Sequence, residues 1–194
     1  KMTSIDNYGS SIALGGLELT MQELAKLYAM LANQGHLKQL SILNKSNEDQ
    51  IGSRPLQDFA TAMTMNTLSL KNRPGFEEKY DYIKREYSTF WKTGTSYGHK
   101  DAWTMGIFGP YVIGVWLGNF DGAPNSHLIG VKTAAPLFFQ ITDRLVPYIK
   151  SAFSSWHLTS SKMTKVKVAI IDTGVDFKHD FLTDYRWINT PEVN

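Results

Sequence analysis

The apolar positions of "LTMQELAKLYAMLANQG" recur at helical spacing, with Leu24, Leu27, Tyr28 and Leu31 on one face. Thr20 and Glu23 stand at capping-box spacing ahead of this stripe and Gly35 stops it, so an amphipathic helix is predicted between them. Past the polar stretch "NKSNEDQ", Pro55 suits the first turn of a second helix that carries Leu56, Phe59, Ala60 and Met63 on one side and ends at Asn72 to Gly75. From Tyr87 the period shortens to that of strands. Aromatic and β-branched residues fill "YSTFWKTGT", "AWTMGIFG" and "YVIGVWLGN", separated by short Gly-containing turns. They predict three sequential antiparallel strands, Tyr87–Thr95, Ala102–Phe108 and Tyr111–Asn119. After a loop at Asp121 to Gly130, helical spacing returns through Leu137, Phe138, Ile141 and Leu145. This order predicts an α+β fold, an antiparallel sheet with helices packed on it.

The pattern changes after Lys150. "SAFSSWHLTSSKMTK" is rich in serine and lysine and has no periodicity, whereas "VKVAIIDTGVDF" is a short apolar strand, of the α/β type, ending in Asp-Thr-Gly. The expected organisation is one unit over 1–150, a linker over 151–165 and the start of another unit over 166–194. With 42% hydrophobic and 20% charged residues among 194, the chain has the composition of a globular protein. Its formal charge of +2 is spread out, and the densest basic run, Lys162 to Lys167, is broken by Met163, Thr164 and Val166, so no nucleic-acid partner is expected. The absence of cysteine excludes disulfides and thiolate metal sites. His36, His99, His127 and His157 lack metal-ligand spacing, and no metal or other cofactor is expected. "YVIGVWLGNF" falls short of the roughly 20 residues that span a bilayer. The chain opens on Lys1 and not on methionine, which leaves room for a targeting segment upstream.

The polar residues of the first predicted strand are the main candidates for chemistry. In Lys92-Thr93-Gly94-Thr95, strand alternation puts Thr93 and Thr95 on one face, while Gly94 leaves the backbone open to close approach. A lysine beside such a groove supplies positive charge for a carboxylate or an ionising serine, hydroxyls can bind a terminal carboxylate, and an amide can donate to an oxyanion. The alternative is a solvated surface strand entering a turn. Trp91, Trp103 and Trp116 suit sugar or peptide stacking, but on half-buried strands they are expected to be core.

Lys-Thr-Gly is one of three signatures of the penicillin-binding proteins and serine β-lactamases, beside S-x-x-K and S-x-N. "WKTGTSYGHKDAW", with "YVIGVWLGNFDGAP" after it and "IALGGLELTMQELAKLYAMLANQG" before it, resembles the transpeptidase domain of bifunctional penicillin-binding proteins of the 1C type. The resemblance covers about residues 8–150. It implies a five-stranded antiparallel sheet of which the three strands are the C-terminal part. It also implies that Lys92 faces the active serine, that Thr93 and Thr95 bind the donor peptide's carboxylate beside Gly94, and that the Thr95 amide forms half an oxyanion hole. The implied partners are the peptidoglycan stem peptide and β-lactams, the implied location is outside the cytoplasmic membrane, and a membrane anchor is implied upstream.

One departure bears on activity. No serine stands three residues before any lysine, the nearest imitation being Thr159-Ser160-Ser161-Lys162, and no S-x-N occurs. The nucleophile and its partners are therefore expected upstream, and the chain alone is expected not to form an acyl-enzyme. A non-catalytic peptide-binding remnant is the alternative outside enzymology.

The tail raises another enzyme. Asp172-Thr173-Gly174, then His179, Leu182 and "RWINTPEVN", resemble the start of a subtilisin-like protease over about 30 residues, although Asp180-Phe181 replaces the expected proline and acid. That resemblance makes Asp172 the aspartate that orients a catalytic histidine, with His179 structural. An aspartic-protease lobe, which also opens on Asp-Thr-Gly, and a plain strand-to-loop aspartate are alternatives. Gly94-Thr95-Ser96 imitates the protease's serine box but precedes Asp172, the wrong order for that triad.

Overall fold

The computed structural model describes residues 8–40, 52–69, 73–74, 88–156 and 167–172, with backbone alone at 150–156 and 167–172. A 3-10 turn, Gly9–Leu14, leads to α1 (Met21–Ala32), α2 (Asp58–Ser69), β1 (Thr89–Thr95), β2 (Asp101–Phe108) and β3 (Tyr111–Gly118). Then come α3 (Ala134–Trp156) and β4 (Lys167–Asp172).

The capping box starts α1 where the spacing predicts it. Thr20 Oγ1 accepts from the Glu23 amide at 3.2 Å, and the Glu23 carboxylate accepts from the Thr20 amide at 2.8 Å. The backbone bond to Thr20, then the side-chain bond, holds the Glu23 carboxyl below its ordinary range. At the other end the chain turns left-handed at Gln34 and Gly35, and the Gly35 amide donates to the Met30 carbonyl at 2.9 Å.

The buried faces of the first two helices differ from the predicted ones. In α1 the centre of the buried stripe is Ala25 and Ala29, flanked by Leu24, Tyr28 and Leu31, while Leu27 lies outside at 38% exposure. The two small side chains let the helix sit close to the sheet. In α2, Thr61 and Met65 face inward, while Phe59 and Met63 are exposed. Apolar spacing there points to the opposite side from the one that packs, and Pro55 precedes the helix instead of opening it. Of the expected end at Asn72 to Gly75, only residues 73–74 are described, and the helix stops at Ser69.

The three predicted strands form one antiparallel sheet, with Thr95 opposite Ala102 and Phe108 opposite Tyr111. The described sheet has four strands in the order β1-β2-β3-β4, the last parallel to β3 from Tyr111↔Lys167 to Trp116↔Asp172. Because antiparallel partners share a face, Trp91, Thr93 and Thr95 lie with Gly106, Thr104, Ala102, Ile113 and Val115. This face packs against α3 through Phe138 and Phe139. A Cβ on Gly106 would lie 2.6 Å from Phe138 Cζ, so the glycine is the socket for that ring. The other face carries Phe90, Met105, Ile107 and Val112 and packs against α1 and Met65 of α2. The third helix runs past the boundary expected after Lys150, to Trp156. The rest of the expected linker, 157–165, and the tail beyond Asp172, including His179, lie outside the described residues.

Candidate functional site

Lys92 to Thr95 occupy β1, an edge strand of the described sheet. At its end the Ser96 amide donates to the Asp101 carbonyl at 3.0 Å, which sets the alternation of the ladder. Hydrogen-bonded pairs then fall at Gly94↔Trp103 and Lys92↔Met105, and the N–H and C=O groups of Thr93 and Thr95 turn outward. Among the described residues no strand pairs with that edge. The outward groups are a ready template for an extended peptide.

The side chains follow the same alternation. Lys92 and Gly94 share the face of Trp103, while Thr93 and Thr95 share the face of α3. The exposed Lys92 bends along its own strand, Nζ donating to the Thr93 carbonyl at 2.6 Å, and so keeps its charge at the open edge. Thr95 Oγ1 accepts from the Gly130 amide at 2.9 Å. That contact leaves the hydroxyl proton to donate elsewhere. A Cβ on Gly130 would stand 2.3 Å from the Gly94 carbonyl oxygen, so only glycine lets the loop after β3 lie this close to β1.

The Gly130 contact was invisible along the chain, where the residue reads only as the end of a loop. So was a second support. Arg73 donates to both carboxylate oxygens of Asp143 in α3, at 2.7 Å each, and lies 4.8 Å from the Phe139 ring centroid. Phe139 in turn packs edge-on to Trp91, at 5.0 Å and 80°. The row Arg73, Phe139, Trp91 therefore ties β1 to α3 directly beside Lys92.

The tryptophans divide. Trp91 is core at 2% exposure, but Trp103 and Trp116 are half-buried, with centroids 6.2 Å apart, so the core expectation holds in full for Trp91 alone. Trp116 Nε1 donates to Asp101 Oδ1 at 2.9 Å. Ser96 Oγ accepts from the Asp101 amide at 2.8 Å, which makes it a cap on the hairpin turn. Asp172 ends β4, in register with Trp116. It lies at the opposite edge of the described sheet from Lys92, on the order of 14 Å away at ordinary strand spacing, so the two candidate centres are not brought together.

Among the described residues no cluster of three or more metal-ligating side chains occurs, and no helix is long and apolar enough to cross a membrane.

No protein-family model matches the chain. It is 31% identical over 136 residues, 70% of its length, to penicillin-binding protein 1C of Escherichia coli. It is 28% identical over 148 residues, 71% of its length, to penicillin-binding protein 1B of Vibrio cholerae. The matched stretches span 17% and 19% of these relatives' own lengths.

Proposed function

We propose that this homologue of the penicillin-binding proteins is the sheet-edge part of a peptidoglycan D,D-transpeptidase domain. The observation that carries the reading is the Lys92 to Thr95 sequence on an open strand edge, with the Thr95 amide turned outward. A donor stem peptide adds along that edge, its terminal carboxylate bound by the Thr93 and Thr95 hydroxyls near the Lys92 charge. A serine supplied by another segment attacks the carbonyl carbon before the terminal residue. The carbonyl oxygen becomes an oxyanion held by the Thr95 N–H. Collapse expels the terminal amino acid as an amine, which takes the proton that the serine hydroxyl gave up on attack, and leaves an acyl-serine for an acceptor amine to open. Lys92 stabilises the charge that develops on the serine oxygen.

This reaction needs the S-x-x-K serine, which these 194 residues lack. The chain alone is therefore expected to retain no fluorescent penicillin through denaturing electrophoresis. The reading is tested by the in-frame gene sequence upstream of Lys1, where an S-x-x-K and an S-x-N are expected. Finding neither would defeat it and leave the peptide-binding remnant. On the same reading the parent protein is anchored to the membrane and works on its outer side.

For the tail, the end of β4 at Asp172 suits the subtilisin-like alternative, in which an aspartate terminates a core strand. That alternative keeps 166–194 as the start of another unit. Casein hydrolysis by the 194-residue chain is not expected, since no histidine follows His179 and no serine follows Asp172.

A further inference from the structure

Thr104 lies in the middle of β2 at 0% exposure, and its Oγ1 has no hydrogen-bond partner among the described residues. Such an idle hydroxyl is as costly as a lost hydrogen bond. Its neighbours on the same face offer little: Ala102 and Gly106 along the strand and Val115 across from it carry no polar side chain. The Thr142 hydroxyl in α3 donates to the Phe139 carbonyl. The Thr95 hydroxyl is engaged by the Gly130 amide.

One group remains. Thr104 stands opposite Thr93, whose half-buried hydroxyl is also without a partner among the described residues. The alternation set by the Ser96–Asp101 bond makes this a non-hydrogen-bonded pair, the closer kind, with Cα atoms about 4.5 Å apart. At such positions threonine hydroxyls reach each other by rotation about χ1.

We infer that Thr104 is a positioning residue for Thr93. Thr93 Oγ1 stands directly across from it with no partner of its own among the described residues, and the buried Thr104 proton is donated to it. A hydroxyl has a single proton, so Thr93, with an oxygen lone pair occupied, directs its own proton to the open edge, where a ligand carboxylate accepts it. The inference rests on the reading that Thr93 binds a carboxylate.

The test uses the 194-residue chain. In a double-mutant cycle of Thr93→Val and Thr104→Val, the melting-temperature shifts are expected to be non-additive, the second substitution costing less once the first is made. A Thr104 hydroxyl proton protected from exchange, with a nuclear Overhauser contact to Thr93, is expected in the unmodified chain. Additive shifts, or no protected proton, would overturn the inference. Chemical-shift titration with N-acetyl-D-alanyl-D-alanine and its C-terminal amide supplies a readout that packing alone would not move. The preference for the acid should fall about three- to tenfold in Thr104→Val and return in Thr104→Ser, as one neutral hydrogen bond implies. Failure of Thr104→Ser to restore it counts against the positioning role. If the unmodified chain does not prefer the acid, the carboxylate-binding reading fails, while the cycle and the hydroxyl proton still decide the pairing.

Discussion

At the scale of single residues, the candidate site depends on Gly130, a group that does no chemistry. Gly130 lets a loop amide reach Thr95, and a methyl there would meet the Gly94 carbonyl oxygen at 2.3 Å. Gly130→Ala is therefore expected to destabilise the chain by about 1–3 kcal/mol and to shift the Thr95 resonances, as denaturant titration and NMR will show. Tyr28 is a partly buried member of the cluster between α1 and the sheet, and burial pushes its phenol up to about 12 from 10.0. The folded state thus favours the neutral phenol. The stability this supplies is intact below pH 10 and is lost as pH rises towards 12, on the order of 2 kcal/mol in all. Tyr28→Phe should flatten that part of the stability profile, measured by urea unfolding between pH 9 and 12. An unchanged slope would mean that the phenol ionises freely in the folded chain.

At the scale of elements, β1 is held at its C-terminal end and from behind. Its hairpin is capped by Ser96 and its back rests on Phe139 of α3, over which Arg73 closes with its bidentate bond to Asp143. Asp143→Asn keeps the shape and removes the charge, and leaves the guanidinium with a weaker partner. A loss on the order of 1–2 kcal/mol is expected, more than for an exposed ion pair because the Arg73 side chain is only 15% exposed. Thermal unfolding of Asp143→Asn at low and high salt checks this, and equal stability with the unmodified chain would make the clamp ornamental. Hydrophobic period revealed α1 and all three antiparallel strands, but it chose the wrong side of α2. Phe59 and Met63 are spaced as a core stripe and are exposed, while Thr61 packs inward with its hydroxyl bonded to the Gln57 carbonyl. A threonine that satisfies its own hydroxyl within the helix is as buriable as an apolar residue, and periodicity does not register this.

At the scale of the whole molecule, the two edges of the sheet have different fates. The β1 edge is open among the described residues, whereas the β3 edge is covered by β4. Removing 167–194 uncovers a strand whose Val112, Ile113 and Val115 are buried, and a lower melting temperature with self-association is expected by calorimetry and sedimentation. Unchanged behaviour would favour a tail that belongs to a separate unit. Local sequence determined the α1 cap, the strand alternation that sets Thr93 and Thr95 on one face, and the Lys-Thr-Gly-Thr signature, because each depends on residues a few positions apart. Only the tertiary structure decided that β1 lies at an edge of the described sheet, that Asp172 lies at the other, that Gly130 reaches Thr95, and that Arg73 meets Asp143. These are relations between distant segments, set by which surfaces bury best against each other once the chain has closed on its sheet.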